Sequence, residues 1–191
     1  MSEILTIDTS AGLSKEERIN PLPIFAEDFP LLQETIPEYK GGFPNAALVT
    51  LAKRLKMTMK LYSGLGLSAN QCGVSERIFV IGTDEFQMVC INPKVLSYGP
   101  EENGKEGCLS FPGLFLNVNR PSWIEVEYTD ENGKVNQTKL EGISARCFLH
   151  ELDHLNGIKY TNHVKPLALK MARQKAQKIV KSIVRRQKNG K

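Results

Sequence analysis

Residues 150–154 read His150-Glu151-Leu152-Asp153-His154, and the segment around them, from Ile143 to the Asn156-Gly157 pair, decides the architecture. An Asn-Gly pair after a run of helix formers is a left-handed stop, so the pentapeptide lies on a helix. Histidines four apart on a helix sit roughly 40° apart around the axis and about 6 Å apart along it. Both imidazoles can then grip one metal ion, while Glu151 lies close enough to handle the protons of a water at the open position. Only three histidines occur in the chain, and two of them have this spacing.

Outward from this helix, strand patterns precede it and helices flank it. Arg77–Gly82, Met88–Asn92 and Lys94–Tyr98 are apolar and β-branched. Trp123–Tyr128 alternates, and Asn132-Gly133 predicts a tight hairpin into Val135–Leu140. Leu48, Leu51, Leu55, Met59 and Tyr62 mark an N-terminal helix from Asn45 to near Gly64. A short strand is expected at Ile158–Tyr160. Pro166 then opens a last helix with Leu169, Ala172, Ala176, Ile179 and Ile183 along one stripe. Prolines 21, 23, 30, 37 and 44 keep the stretch before Asn45 irregular, and Ser14 with Glu17 suggests one capped turn. The pattern predicts α+β: antiparallel sheets around a central metal-binding helix, with an N-terminal and a C-terminal helix. The organisation is an irregular extension at 1–20, a catalytic domain at 21–165 and a basic helix at 166–191.

Composition narrows the class. The chain has 191 residues, 41% hydrophobic and 24% charged, which suits a globular domain with a sizeable core. No apolar run is long enough to span a membrane. The first 20 residues lack a basic start followed by an apolar block, and the four scattered cysteines read as reduced thiols, so a cytoplasmic location is expected. Net charge is +4, yet residues 165–191 hold ten Lys or Arg and no acid. The remaining chain carries 15 basic against 21 acidic residues, a net of −6, so a polyanion is a candidate partner for the tail and a solvated helix face is the simpler alternative.

A catalytic site of this kind needs a third ligand. Cys147 lies seven residues from His154, about 10 Å of helix rise, too far to share an ion with it. Cys90 reads as core, Cys72 stays open beside Gly73, and His163 lies beyond the helix stop in a surface or capping role. Cys108 is the best candidate, presented by a strand or loop from Glu106-Gly107-Cys108-Leu109-Ser110.

Three blocks now stand in order: Gly64-Leu65-Gly66-Leu67-Ser68-Ala69-Asn70-Gln71-Cys72-Gly73, then residues 106–110, then residues 150–154. Together they resemble the signature motifs of the peptide deformylases, from about Asp28 to Tyr160. The resemblance implies hydrolysis of the formyl group from N-formyl-methionine at the start of nascent polypeptides. It implies Cys108, His150 and His154 as ligands of one divalent ion, iron(II) first, with zinc, nickel or cobalt as alternatives. Glu151 matches the general base and acid. Gln71 and the backbone N–H of Leu109 match the oxyanion donors. Gly66 matches a substrate-backbone contact, and Leu65, Ile143 and Cys147 match the methionine pocket. Similar bacterial enzymes dock their C-terminal helix near the ribosomal exit, which makes the ribosome a candidate partner; no sequence-specific nucleic acid contact is implied. Ser68 stands where alanine is usual, Leu149 replaces a common glutamine, and Arg146 stands where an apolar pocket residue is frequent. The rival readings are an HExxH metallopeptidase, whose third ligand would lie downstream, and a structural Cys/His metal module binding RNA through its tail.

Overall fold

The computed structural model describes residues 20–83 and 86–189, with the backbone alone at 179, 180 and 182–189. The Ser14–Glu17 turn expected from the sequence lies outside the described residues.

Helix α1 spans Ala46–Leu61. The Asn45 side chain accepts from the backbone N–H of Ala47 and Leu48, which satisfies two of the groups a helix start leaves unpaired. Its stripe Leu48, Ala52, Leu55 and Met59 is buried, whereas Tyr62 is exposed just past the last turn. Five strands form one antiparallel sheet: β1 (Gly66–Ser68), β2 (Ile78–Gly82), β3 (Gln87–Tyr98), β6 (Trp123–Thr129) and β7 (Val135–Glu141), in that spatial order. Two more, β4 (Glu101–Cys108) and β5 (Phe111–Pro121), form a separate hairpin.

Helix α2, Gly142–Leu155, runs between the two sheets and ends where Gly157 takes φ 71°. Ala145, Phe148 and Leu155 pack into the five-stranded sheet on Phe79, Ile81 and Ile124. Burying each large apolar side chain contributes about 1.5–3 kcal/mol. The opposite face of α2 presents His150 and His154 toward the hairpin. The architecture is thus α+β with antiparallel sheets around a central helix, as the sequence patterns predict.

Three local expectations are corrected. Met88–Asn92 and Lys94–Tyr98 belong to one strand, because Asn92 at φ 50° and Pro93 are absorbed in a register shift between Ile91 and Lys94. Ile158–Tyr160 is not a strand: a 3₁₀ turn runs over Tyr160–His163. Tyr160 is drawn inward by its hydroxyl, which donates to Leu114 O, and by its edge contact with Phe111. The hairpin itself is additional; the polar, glycine-containing stretch Glu101–Cys108 has no apolar alternation to mark it as a strand.

Helix α3, Pro166–Asn189, covers the outer face of that hairpin. Leu169, Ala172 and Ala176 pack on Phe111, Leu114, Leu116 and Val118. The side chains of Ile179 and Ile183 lie outside the described residues. No helix among the described residues is long and apolar enough to cross a membrane.

Candidate metal centre

Cys108 ends β4 and faces α2. Its Sγ and the ring nitrogens of His150 and His154 lie within 4.8 Å of one another, a Cys/His/His set of the kind that holds a divalent ion. The Cys108 thiol is 3.2 Å from His154 Nε2. His150 is oriented from behind, with Nδ1 3.1 Å from Glu106 Oε2, which leaves Nε2 for the ion. His154 Nδ1 is buried without a hydrogen-bond partner, and its Nε2, which faces Cys108, is the nitrogen available to an ion. One soft donor and two imidazoles, with no fourth ligand among the described residues, suit a catalytic ion with an open position.

Electrostatics sharpen the picture. Burial opposes charge on Glu106, but hydrogen bonds from His150 and Arg120 prevail and hold its carboxyl at about 2. Burial likewise opposes charge on His150, yet Cys108 and Glu106 raise it to about 10. Burial and the charge on His150 keep His154 neutral, well below the ordinary histidine value. Glu151 is pushed up by burial to about 7, and its Oε2 is buried without a partner.

The Gln71 amide is locked in one orientation. Its oxygen accepts from Ser68 N and Oγ, both at 3.0 Å, so its Nε2 points to Ser110 Oγ at 3.2 Å and Cys108 Sγ at 3.4 Å. Gly66 is required for space: a Cβ there would strike the Glu151 carboxylate and would lie 2.7 Å from Cys147 Sγ. A cleft of about 830 Å³ opens onto these groups, with Leu65, Gly66, Leu109, Ile143 and Cys147 in its walls. Leu65 and Ile143 are rim residues, 47% and 60% exposed.

The remaining candidates fall elsewhere. Cys72 is buried away from the donors, its thiol pushed by burial to about 12. Cys90 is core. Cys147 donates to Leu65 O at 3.0 Å. His163 lies at the surface, as expected, outside the donor set and with its Nε2 2.7 Å from Asp153 Oδ2. Among the described residues the third donor therefore comes from upstream Cys108 and not from a downstream His or Glu.

The supporting network escaped sequence reading. Arg120 Nε and Nη2 donate to Glu106, and Nη1 donates to Asp153 at 2.6 Å. Arg120 continues the inward alternation of Leu114, Leu116 and Val118, and that alternation is the one signal that could have found it. Arg146, at the position where an apolar pocket residue is frequent, turns its guanidinium toward Glu106 and the hairpin backbone.

A family model for polypeptide deformylase matches residues 21–170. The peptide deformylase of Thermotoga neapolitana is 39% identical over 137 residues, 71% of this chain and 84% of the relative. Among solved structures, the peptide deformylase of Thermotoga maritima superposes with a TM-score of 0.73 at 34% identity, covering 77% of this chain and 99% of that one. The Synechococcus elongatus enzyme, solved with actinonin, gives 0.77 at 32% identity, covering 93% and 95%.

Proposed function

Because the chain belongs to the polypeptide deformylase family, we propose that it removes the formyl group from the N-terminal formyl-methionine of nascent polypeptides. Water supplies an oxygen to the formyl carbon, the C–N bond breaks, and formate and a free methionine amine leave. A divalent ion bound by Cys108, His150 and His154, iron(II) first with zinc, nickel or cobalt as alternatives, would polarise the formyl carbonyl and acidify water beside it.

Glu151 takes the proton from the attacking water and returns it to the departing nitrogen. A carboxyl near 7 is matched to both halves of that exchange at neutral pH. The Gln71 amide and the Leu109 N–H stabilise the oxygen that gains charge. The locked Gln71 orientation supports this role, since a donor aimed in advance needs no reorganisation. Gly66 receives the substrate backbone, and Leu65, Ile143 and Cys147 receive the methionine side chain.

The observation that carries the reading is the unpartnered, buried Glu151 Oε2 beside a three-donor set at the end of a cleft. The test is metal analysis together with formate release from formyl-Met peptides. A protein that holds one ion per chain yet releases no formate overturns the reading.

The free cysteines suit a reducing, cytoplasmic setting. The basic α3 suits docking to ribosomal RNA phosphate, an association that should weaken steeply with salt. Cutting the chain after Pro166 would strip Leu169, Ala172 and Ala176 from the core. Neutralising the exposed Lys170, Lys175 and Lys178 is the cleaner test, and ribosome pelleting unchanged at every salt concentration would reject the docking.

A further inference from the structure

Cys108 and the two histidines come from parts of the fold that share no strand ladder, the hairpin β4–β5 and helix α2. Arg146 bridges these parts. It lies one turn before His150, and its side chain is 11% exposed. Its Nη1 donates to Glu106 Oε1 and to Val118 O, both at 2.8 Å, and more weakly to Gly104 O at 3.4 Å. Its Nη2 donates to Glu102 O at 2.9 Å. Acceptors from both strands of the hairpin thus converge on one guanidinium of the helix. Gly104 is its seat: a Cβ there would lie 2.6 Å from Cζ and Nη2, so a side chain at 104 would displace the group. A planar fork can serve several acceptors at once, and a compact ammonium cannot.

We propose that Arg146 is a positioning residue: seated on Gly104, it fastens the hairpin that carries Cys108 to the helix that carries His150 and His154, and so keeps the three donors within reach of one ion. The proposal rests on the donor set of the deformylase reading. Arg146 touches none of the donors; it acts through Glu106 and three backbone carbonyls. Glycine at 104 and arginine at 146 form a fitted pair, each losing its purpose without the other.

The test uses the full chain loaded with cobalt(II), whose thiolate-to-metal absorption reports the bond to Cys108. Release of the ion to excess chelator is timed well below the unfolding temperature, which is measured in parallel. Arg146→Met and Gly104→Ala should each release cobalt about 10- to 100-fold faster than the wild type. Arg146→Lys should fall between Arg146→Met and the wild type. The double variant Gly104→Ala/Arg146→Met should release no faster than Arg146→Met alone, because the seat has already lost its occupant. A merely structural role would lower the unfolding temperature and leave release unchanged. Release at the wild-type rate from folded Arg146→Met overturns the proposal, and if that variant does not fold, Gly104→Ala decides in the same way. Chelator release needs no turnover, so failure of wild-type formate release would count against the deformylase reading and not against the brace.

Discussion

Glu151 owes its poise to what surrounds it. Burial raises its carboxyl, and Gly66 lets the β1 backbone close against it without contact from a side chain. Two expectations separate chemistry from placement. Glu151→Gln should retain the metal, because Glu151 is outside the donor set, and should lower turnover by about 10²–10⁴-fold, because an amide accepts no proton from water. Formate release near the wild-type rate with metal bound would remove Glu151 from the mechanism. Gly66→Ala keeps every functional group but pushes the carboxylate aside. A displacement of this size should cost about 10²-fold in kcat/KM with unchanged metal content. Intact activity would mean that the carboxylate does not need its observed position.

One buried cation ties β5 to both β4 and α2. Arg120 is 5% exposed and lies between Glu106 of β4 and Asp153 of α2. Without Arg120, Glu106 keeps Arg146 and His150 and Asp153 keeps His163, so Arg120→Leu should destabilise the fold by about 1–3 kcal/mol in urea unfolding, the cost of the charged hydrogen bonds lost. No measurable loss would show that the remaining partners compensate both carboxylates by themselves. Elements with a clear period are legible in the sequence: α1 through Leu48, Leu55 and Met59, α2 through its stop at Gly157, and β6–β7 through Asn132-Gly133. The donors are legible too, since spacing on a helix fixes two of them and block order supplies the third. The hairpin is not, because β4 is held by its ladder to β5 and by Arg146 of α2, not by an apolar pattern of its own. The Glu106–Arg120–Asp153 chain is hidden for the same reason: charged residues read as surface until the fold brings opposite charges together.

Across the molecule, α3 is attached by apolar contacts to β5 and by Arg173, whose guanidinium donates twice to Glu27 at 2.6 Å. The hydrogen bond from Arg173 holds the Glu27 carboxyl below its ordinary value; partial burial opposes this, and Lys159 adds a smaller pull in the same direction. The sign follows from that depression. The clasp contributes fully above the unfolded carboxylate value and is lost as pH falls through the lower folded one. Acidification below about pH 4.5 should therefore loosen α3, visible as a shift of the Ala176 methyl resonance, and Arg173→Gln should abolish that step. An identical acid response in the variant would place the titration elsewhere.

Among the described residues the hairpin β4–β5 shares no ladder with the five-stranded sheet, so it is expected to open as a unit of its own. Backbone amides of residues 101–121 can then exchange with deuterium through an opening that leaves the large sheet closed. Because that same opening carries Cys108 away from α2, an ion bound across the junction stabilises the closed form by mass action. Added cobalt should slow deuterium uptake in the hairpin and leave β2, β3 and β6 unchanged, so isotope exchange in one small sheet becomes a gauge of how firmly the whole enzyme holds its metal.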